Sequence, residues 1–311
     1  MKTSILFPGQ GSQSIGMLSD AYREFKLVRD SFAEASDVLG FDMWSLVSEG
    51  PLGELNQTEN TQPAILTGSV ALYRVWQSLG GDVPCCVAGH SLGEYSALVA
   101  AEALSFSDAV KLVQLRGQLM QKAVPLGQGA MAAIIGLDDE GVIAACDQAS
   151  QGDVVSAVNF NAPGQVVIAG SKVAVERAIV SCKEAGAKRA LPLPVSVPAH
   201  SALMKQAAAR LEEELRAICF EDASIPVVQN VSASLERDKS VLIDNLVKQL
   251  YSPVQWTQSV KRVAEQGTTV IVECGPGKVL AGLLKRIDRN LVGYNIENPD
   301  KLREAILGTK Q

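Results

Sequence analysis

The run Val83–Ala88 is the segment that most restricts the fold of this chain. It is continuously apolar, has the length of a strand, and is followed by a glycine-flanked serine and a predicted helix. Such runs are typical of strands covered on both faces, as in a parallel sheet. With its neighbours it predicts an α/β fold. The other elements predicted here are a strand at Ser4–Phe7 and helices at Asp20–Leu39, Pro63–Leu79, Glu94–Ala103 and Ser107–Lys122.

The helix Pro63–Leu79 has clear predicted ends. Thr61 is the expected cap, Pro63 suits the first turn, and Gly80-Gly81 stops the helix.

The middle of the chain predicts a small inserted domain. Its order is β-α-β-β-α-β, which is the ferredoxin-like unit. We therefore predict a large α/β-hydrolase-like domain from residues 1–127 and 197–311, and a small ferredoxin-like domain from residues 128–196. The predicted elements of the small domain are strands Ala130–Leu137, Val154–Phe160, Gln165–Ala169 and Arg189–Leu193, and helices Asp138–Ser150 and Lys172–Ala185. Beyond it we predict helices Ala199–Ile218 and Val241–Leu250, and strands Val227–Asn230 and Val270–Cys274.

Composition excludes several classes of function. The net charge is −6 and basic residues are scattered, which argues against nucleic-acid binding. The longest uncharged stretch, Val154–Ser171, is interrupted by asparagine, proline and glycine, so no membrane span is predicted. The apolar run before Pro8 is too short for a secretory signal, and the six scattered cysteines fit free thiols in the cytoplasm. Two histidines exclude a histidine-rich metal site.

Ser91 is the candidate nucleophile. Gly89-His90-Ser91-Leu92-Gly93 matches G-x-S-x-G, between a predicted buried strand and a predicted helix. That is the setting of a nucleophile elbow, where the backbone N–H of Leu92 is free to hold a negative oxygen. The alternative is a serine that only caps the helix.

His200 is the candidate base. A serine hydroxyl needs a base, and His90 and His200 are the only imidazoles. Adjacent side chains diverge in a sharp turn, so His90 is poorly placed to serve Ser91. His200 is predicted at the start of a long helix, where the helix dipole favours a neutral ring. The alternative is an ordinary histidine of a capping region.

Arg116 is a charge on an apolar helix face. It lies four residues after Leu112 and four before Met120 on the predicted helix Ser107–Lys122. A buried guanidinium needs a partner. Two interpretations stay open: a structural salt bridge, or a clamp for a substrate carboxylate.

Two glycine-rich loops follow predicted strands. Gly9-Gln10-Gly11-Ser12-Gln13 lacks the third glycine of the dinucleotide-binding pattern, so we predict a tight turn that carries a backbone donor, without a nucleotide cofactor. Gly275-Pro276-Gly277 is predicted to be a turn only.

Together these residues place the chain in a known family. The sequence resembles the malonyl-CoA:acyl carrier protein transacylases of bacterial fatty acid synthesis over nearly its whole length, including the small domain. The motifs that carry the resemblance are Phe7–Gln13, Thr61–Ala64, Gly89–Glu94, Leu115–Gly117, Asn159, Asn161–Gln165, Val197–His200, Gln249-Leu250, Pro253–Trp256 and Glu273–Gly277.

The resemblance implies a role for each site residue. Ser91 would attack the malonyl thioester, with His200 as base. The N–H groups of Gln10 and Leu92 would form the oxyanion hole, and Arg116 would bind the malonyl carboxylate. The backbone carbonyl of Gln249 would orient His200. Residues implied to line the pocket are Gln62, His90, Met120 and Asn159. The family often has serine before the catalytic histidine, where this chain has Ala199.

The expected activity is therefore malonyl transfer from coenzyme A to the thiol of acyl carrier protein through a malonyl-serine. The alternatives are a serine esterase or thioesterase, an acyltransferase for another acyl-CoA, and a non-catalytic binding or scaffold protein that kept the fold. We expect no cofactor, no metal, a cytoplasmic monomer, and an acidic carrier protein that needs a basic docking patch. The basic residues considered for it are Lys188, Arg189, Lys205, Lys285 and Arg286.

Overall fold

A computed structural model describes residues 2–195 and 197–310. The strands are β1 (Thr3–Phe7), β2 (Val87–Gly89), β3 (Gly129–Ile135), β4 (Val155–Ala162), β5 (Gln165–Ser171), β6 (Arg189–Pro192), β7 (Val227–Val228), β8 (Leu235–Glu236), β9 (Val270–Glu273) and β10 (Val292–Asn295). The helices are α1 (Ser19–Glu24), α2 (Lys26–Leu39), α3 (Met43–Glu49), α4 (Leu52–Leu55), α5 (Thr58–Ser78), α6 (Gly93–Ala100), α7 (Phe106–Ala123), α8 (Asp139–Ser150), α9 (Lys172–Glu184), α10 (Lys205–Ala217), α11 (Lys239–Gln249), α12 (Trp256–Glu265), α13 (Val279–Ile287) and α14 (Pro299–Thr309).

The larger sheet confirms the α/β prediction. Its strand order is β10-β9-β1-β2-β7-β8, and every neighbouring pair except β7-β8 is parallel. All residues of β1 and β9 are buried, because helices cover both faces. The carboxyl ends of β1 and β2 lead directly into the Gly9–Gln13 loop and the Ser91 turn, so these two segments meet at one edge of the sheet.

The smaller sheet has the predicted ferredoxin-like connection. Its order is β4-β5-β3-β6, and all pairs are antiparallel. One face packs on α8 and α9 through a core that includes Ile134 and Ile168. The opposite face carries Met131 and Val167, which turn towards the larger sheet. Successive residues of each strand point to opposite faces of the sheet. One face therefore forms the core of the small domain, and the other faces the larger sheet. The domain limits at residues 127/128 and 196/197 stay a prediction.

Five predicted elements were wrong in part, and three of them lie in the first third of the chain. The helix Asp20–Leu39 is two helices, because Phe25 is extended between them. The helix predicted from Pro63 begins at Thr58; Thr61 lies inside it and donates its hydroxyl to the Leu55 carbonyl instead of capping. The strand Val83–Ala88 is confined to its last residues, since Val83 is 81% exposed and Pro84 has no N–H to donate.

The helix predicted at Ala199–Ile218 is the correction that matters most for the site. Residues 199–201 form a turn, in which the Ser201 hydroxyl donates to the Pro198 carbonyl at 2.7 Å. A single 3₁₀ turn, Ala202–Met204, precedes α10. The strand predicted at Val227–Asn230 is also too long. The observed β7 ends at Val228, so Asn230 lies outside it. Helices α3, α4, α12, α13 and α14 and strands β8 and β10 were not predicted. The remaining elements are present, with ends displaced by a few residues.

Candidate active site

Ser91 lies in a strained turn between β2 and α6. Its φ angle is +52°, in the left-handed region that non-glycine residues seldom adopt. A Cβ at Gly89 would lie 1.9 Å from the carbonyl carbon of Gly93, so only glycine permits this turn. The prediction of a strand–turn–helix around Ser91 is therefore confirmed as geometry.

Asn230 holds this turn from the side, which the sequence did not indicate. Its Oδ1 accepts from the Ser91 N–H at 2.7 Å, and its Nδ2 donates to the Gly89 carbonyl at 2.6 Å. Asn230 is completely buried. A single amide thus satisfies two backbone groups that the sharp turn leaves unpaired.

We expect Asn230→Ala to lower the free energy of unfolding by about 2–4 kcal/mol, because two buried backbone groups lose their partner. Urea denaturation measures this change. The exposed Asn290→Ala is the matched control and should alter stability little. Equal stability of the two variants would contradict the clamp.

His200 faces Ser91 from the turn that replaces the predicted helix. Its Nε2 lies 2.7 Å from Ser91 Oγ, and its Nδ1 lies 2.6 Å from the backbone oxygen of Gln249. A carbonyl only accepts, so Nδ1 carries the proton and Nε2 accepts from the serine hydroxyl. The Gln249 carbonyl is available because α11 ends at that residue.

His200 is neutral for a different reason from the one predicted. It does not lie at a helix N-terminus; its φ is +63° and it is 3% exposed. Burial first, and then the positive charge of Arg116, lower the pKa of His200 to about 3. A neutral ring is the form that can accept a proton.

The acylation rate of Ser91 should therefore not fall as the pH is lowered through the ordinary pKa of histidine. Because the lowered pKa keeps His200 neutral as the pH falls, we expect a constant rate from pH 7 to pH 5 in a Glu94→Gln background, which removes the buried carboxyl that is hydrogen-bonded to Gln249 and has a pKa of about 7. Rapid-quench mass spectrometry of the acyl-enzyme measures this rate. Half-maximal loss near pH 6.5 would contradict it.

Arg116 is 1% exposed and points into the same site from α7. Its guanidinium donates to Gln62 Oε1 at 2.8 Å, to Gln249 Oε1 at 2.9 Å and to Ser91 Oγ at 3.3 Å. In the part of the chain that the structure describes, it forms no salt bridge, and its Nε has no hydrogen-bond partner. The structural salt-bridge interpretation of Arg116 is therefore wrong.

Glu94 is a site residue that sequence reasoning did not find. Its Oε2 accepts from Gln249 Nε2 at 2.7 Å, so one glutamine side chain separates it from Arg116. Burial raises the pKa of Glu94 to about 7, against the opposing effects of Gln249, Asn230 and Arg116. Its position directly after the Ser91 motif was the available signal, but nothing local indicated its partner.

The Gly9–Gln13 loop and the Ser91 turn present two backbone donors to the site. Gln10 and Leu92 both line the cavity beside Ser91. Neither of their N–H groups donates to any residue within 2–195 or 197–310. Two free N–H groups beside a nucleophile are suited to stabilise a tetrahedral oxyanion.

These groups surround a cavity of about 220 Å³ between the two sheets. His90, Met120 and Asn159 line it, as the resemblance implied, and Ala199 does so too. His90 is held by Asn161, at 2.8 Å from its Nε2 to Oδ1, and is not bonded to Ser91. The buried Oδ1 of Asn159 has no hydrogen-bond partner in the described chain.

Gln62 was expected to line the pocket but does not. It is completely buried behind Arg116, and its Nε2 lies 3.5 Å from Met120 Sδ. Like Gln249, it contacts the guanidinium and not the cavity. Both glutamines therefore set the position of the charge that faces the substrate space.

The small domain is joined to the large one beside the cavity. The Val254 N–H donates to the Val158 carbonyl at 2.8 Å, and the Phe160 N–H donates to the Val254 carbonyl at 3.0 Å. This short parallel bridge places Asn159 of β4 opposite Val254. The cavity is therefore built by both sheets.

The family model of the acyl transferase domain matches residues 5–305. The chain belongs to the acyl transferase family. It is 57% identical over 303 residues to the malonyl CoA-acyl carrier protein transacylase of Escherichia coli K12, covering 97% of this chain and 98% of the relative. The resemblance drawn from the motifs is thereby confirmed.

Solved structures show the same fold. An acyl carrier protein S-malonyltransferase from Vibrio cholerae is 57% identical, with a TM-score of 0.96 over 98% of this chain and 99% of that one. A malonyl-transacylase solved in complex with a type II PKS acyl-carrier protein is 54% identical, with a TM-score of 0.98 over 99% of this chain and 100% of that one.

Residues 2–195 and 197–310 contain no cluster of three or more histidine, cysteine or acidic side chains that could hold a metal ion. No helix in those same ranges has both the length and the apolar character needed to cross a bilayer. The six cysteines are free thiols, as predicted.

Proposed function

We propose that this protein transfers the malonyl group from malonyl-CoA to the phosphopantetheine thiol of acyl carrier protein, through a malonyl ester of Ser91. The observation that carries the proposal is a serine–histidine pair beside a buried arginine that has no acidic partner within residues 2–195 and 197–310. The pair supplies nucleophilic catalysis, and the arginine supplies a charge for a carboxylate. Relatives that carry this activity in their names match almost the whole chain.

In the first half-reaction, Ser91 Oγ attacks the carbonyl carbon of malonyl-CoA. The hydroxyl proton passes to Nε2 of His200, 2.7 Å away. The N–H groups of Gln10 and Leu92 stabilise the tetrahedral oxyanion. When the carbon–sulfur bond breaks, His200 returns the proton to sulfur and coenzyme A leaves as the thiol.

In the second half-reaction the same groups work in reverse. The phosphopantetheine thiol gives its proton to His200, and its sulfur attacks the ester carbonyl. The carbon–oxygen bond then breaks, and the proton returns to Ser91 Oγ. Coenzyme A and the carrier protein both present their sulfur on a phosphopantetheine arm. One cavity can therefore serve both steps.

Arg116 gives the site its preference for a carboxylate. Its partners Gln62, Gln249 and Ser91 are neutral, so its positive charge remains available. The histidine is oriented by the carbonyl of Gln249, which adds no net charge beside an anionic substrate. A serine esterase or thioesterase has no substrate carboxylate that would require Arg116, so we favour the transferase.

We further propose that the reaction needs no cofactor, that the protein acts in the cytoplasm, and that it is a monomer. Acid–base chemistry by His200 and two backbone donors is sufficient for acyl transfer between thioesters. Each step above balances without a metal or a redox group.

Intact-mass spectrometry tests the proposed function. Purified protein is mixed separately with malonyl-CoA, methylmalonyl-CoA and acetyl-CoA, and then with carrier protein bearing its phosphopantetheine. We expect a malonyl adduct on Ser91 that carrier protein discharges. Rapid release of free malonate, unaffected by carrier protein, would instead support a hydrolase. A preferred adduct from another donor would support an acyltransferase of different specificity.

A further inference from the structure

The turn that follows β9 touches the loop that carries Gln10. Gly277 has a φ of +73°, and a Cβ there would lie 3.0 Å from the backbone oxygen of Ser12. A Cβ at Gly275 would lie 2.5 Å from Pro8 Cδ, at the other end of the same loop. The two glycines therefore allow the backbone of residues 275–277 to pack closely against residues 8–12.

Ser12 is the residue that closes the loop around Gln10. Its N–H and its hydroxyl both donate to the Gly9 carbonyl, at 3.3 and 2.9 Å. Gln10 lies inside this turn, so its N–H direction depends on the position of Ser12. Gln10 itself is exposed, and its side chain makes a single 3.4 Å hydrogen bond, to Thr58.

The turn after β9 is anchored from behind. The buried Glu273 carboxylate accepts from the N–H groups of Leu280 and Ala281, both at 2.9 Å, and so ties the start of α13 to the end of β9. Asn295 of β10 donates to the Gly277 carbonyl. The contact with Ser12 therefore comes from a segment fixed to the sheet at both ends.

We propose that Gly277, with the turn it belongs to, is a positioning element for the oxyanion hole. It holds Ser12, and through Ser12 it aims the N–H of Gln10 at the oxygen of the tetrahedral intermediate. This inference rests on the proposed acyl transfer through Ser91. It assigns a task to a motif that the sequence marked only as a turn.

Gly277→Ala tests the proposal, with Gly40→Ala as a matched control. Gly40 has a φ of +77°, close to that of Gly277, but a Cβ there would come within 4 Å of no described residue other than its neighbours along the chain. Both variants carry the same backbone strain, so we expect both to lose about 2–4 °C in Tm. Only Gly277→Ala presses on Ser12.

The decisive readout separates binding from chemistry. We expect Gly277→Ala to lower the single-turnover rate of Ser91 acylation by about 10- to 100-fold, since loss of one oxyanion donor costs about 10²–10³-fold. The dissociation constant of malonyl-CoA, measured in a Ser91→Ala background, should change less than about twofold, because the oxyanion exists only in the transition state. Gly40→Ala should acylate at the rate of the unaltered protein.

Ser12→Ala tests the same contact without adding backbone strain. It is the variant to use if Gly277→Ala does not fold. It removes one of the two bonds that close the loop, and we expect a smaller fall in acylation rate, again with unchanged binding. Acylation at the unaltered rate in the folded variants would overturn the inference, as would an equal fall in Gly40→Ala. If the unaltered protein forms no malonyl adduct, the proposed function fails instead, so the two failures are distinguishable.

Discussion

Ser91→Ala is expected to form no malonyl adduct and to lower malonyl transfer by at least ~10⁴-fold. The Ser91 hydroxyl lies 2.7 Å from the unprotonated Nε2 of His200, which can accept its proton. Binding and the free backbone donors remain, so a small residual rate should survive. Intact-mass spectrometry after exposure to malonyl-CoA gives the adduct, and a coupled assay with carrier protein gives the rate.

Two controls make this result specific. Ser91→Cys keeps a nucleophile at the same position and should still take up malonyl. Ser232→Ala removes an exposed hydroxyl that bonds only to Ser234 within the described chain, and should leave the adduct unchanged. An adduct that persists in Ser91→Ala on another residue would refute the assignment of the nucleophile.

Arg116→Ala is expected to lower the kcat/KM for malonyl-CoA relative to acetyl-CoA by about 100-fold. Removing one partner of a buried charged pair costs about 2–5 kcal/mol, which is about 30-fold to several-thousand-fold in rate. Arg116 also donates to Ser91 Oγ at 3.3 Å, so both substrates should slow. The ratio between the two substrates isolates the effect on the carboxylate.

The matched control is Arg74→Ala. Arg74 forms a salt bridge to Glu34 and lies outside the catalytic cavity, so its loss should leave the ratio unchanged. Arg116→Lys keeps the charge without the planar fork and should fall between the two. A ratio unaltered in Arg116→Ala would show that the guanidinium does not bind the malonyl carboxylate.

The sequence predicted the pairing of Ser91 with His200 because the evidence for it lies in one short motif and in a count of the histidines. The strand–turn–helix around Ser91 lies within one short stretch of chain, and only two histidines compete for the role of base. Arg116 was found from helical spacing alone, since a charge on an apolar stripe is visible without a partner. The resemblance added Gln10, Gln249 and the pocket residues as a set.

Sequence reasoning failed where the deciding contact joins distant segments. Asn230 clamps the Ser91 turn across 139 residues, and Glu94 reaches Gln249 across 155. The sequence around Asn230 indicated only a strand, with no sign of a contact to the Ser91 turn. No periodicity or motif in either segment indicates the other, because an amide serves equally well at a surface or in a buried network.

For His200, the sequence identified the residue but gave the wrong reason for its neutral charge. The scarcity of histidine identified it, yet the predicted helix that was to keep it neutral is absent.

The sequence by itself determined the α/β class, the ferredoxin-like insertion and the choice of Ser91 and His200 as candidate nucleophile and base, since these follow from hydrophobic patterning and residue type. Only the tertiary structure decided what Arg116 contacts and why His200 is uncharged. Electrostatic partners and burial depend on how far the packed chain excludes water from each group, and that exclusion arises only when the two sheets close around the cavity.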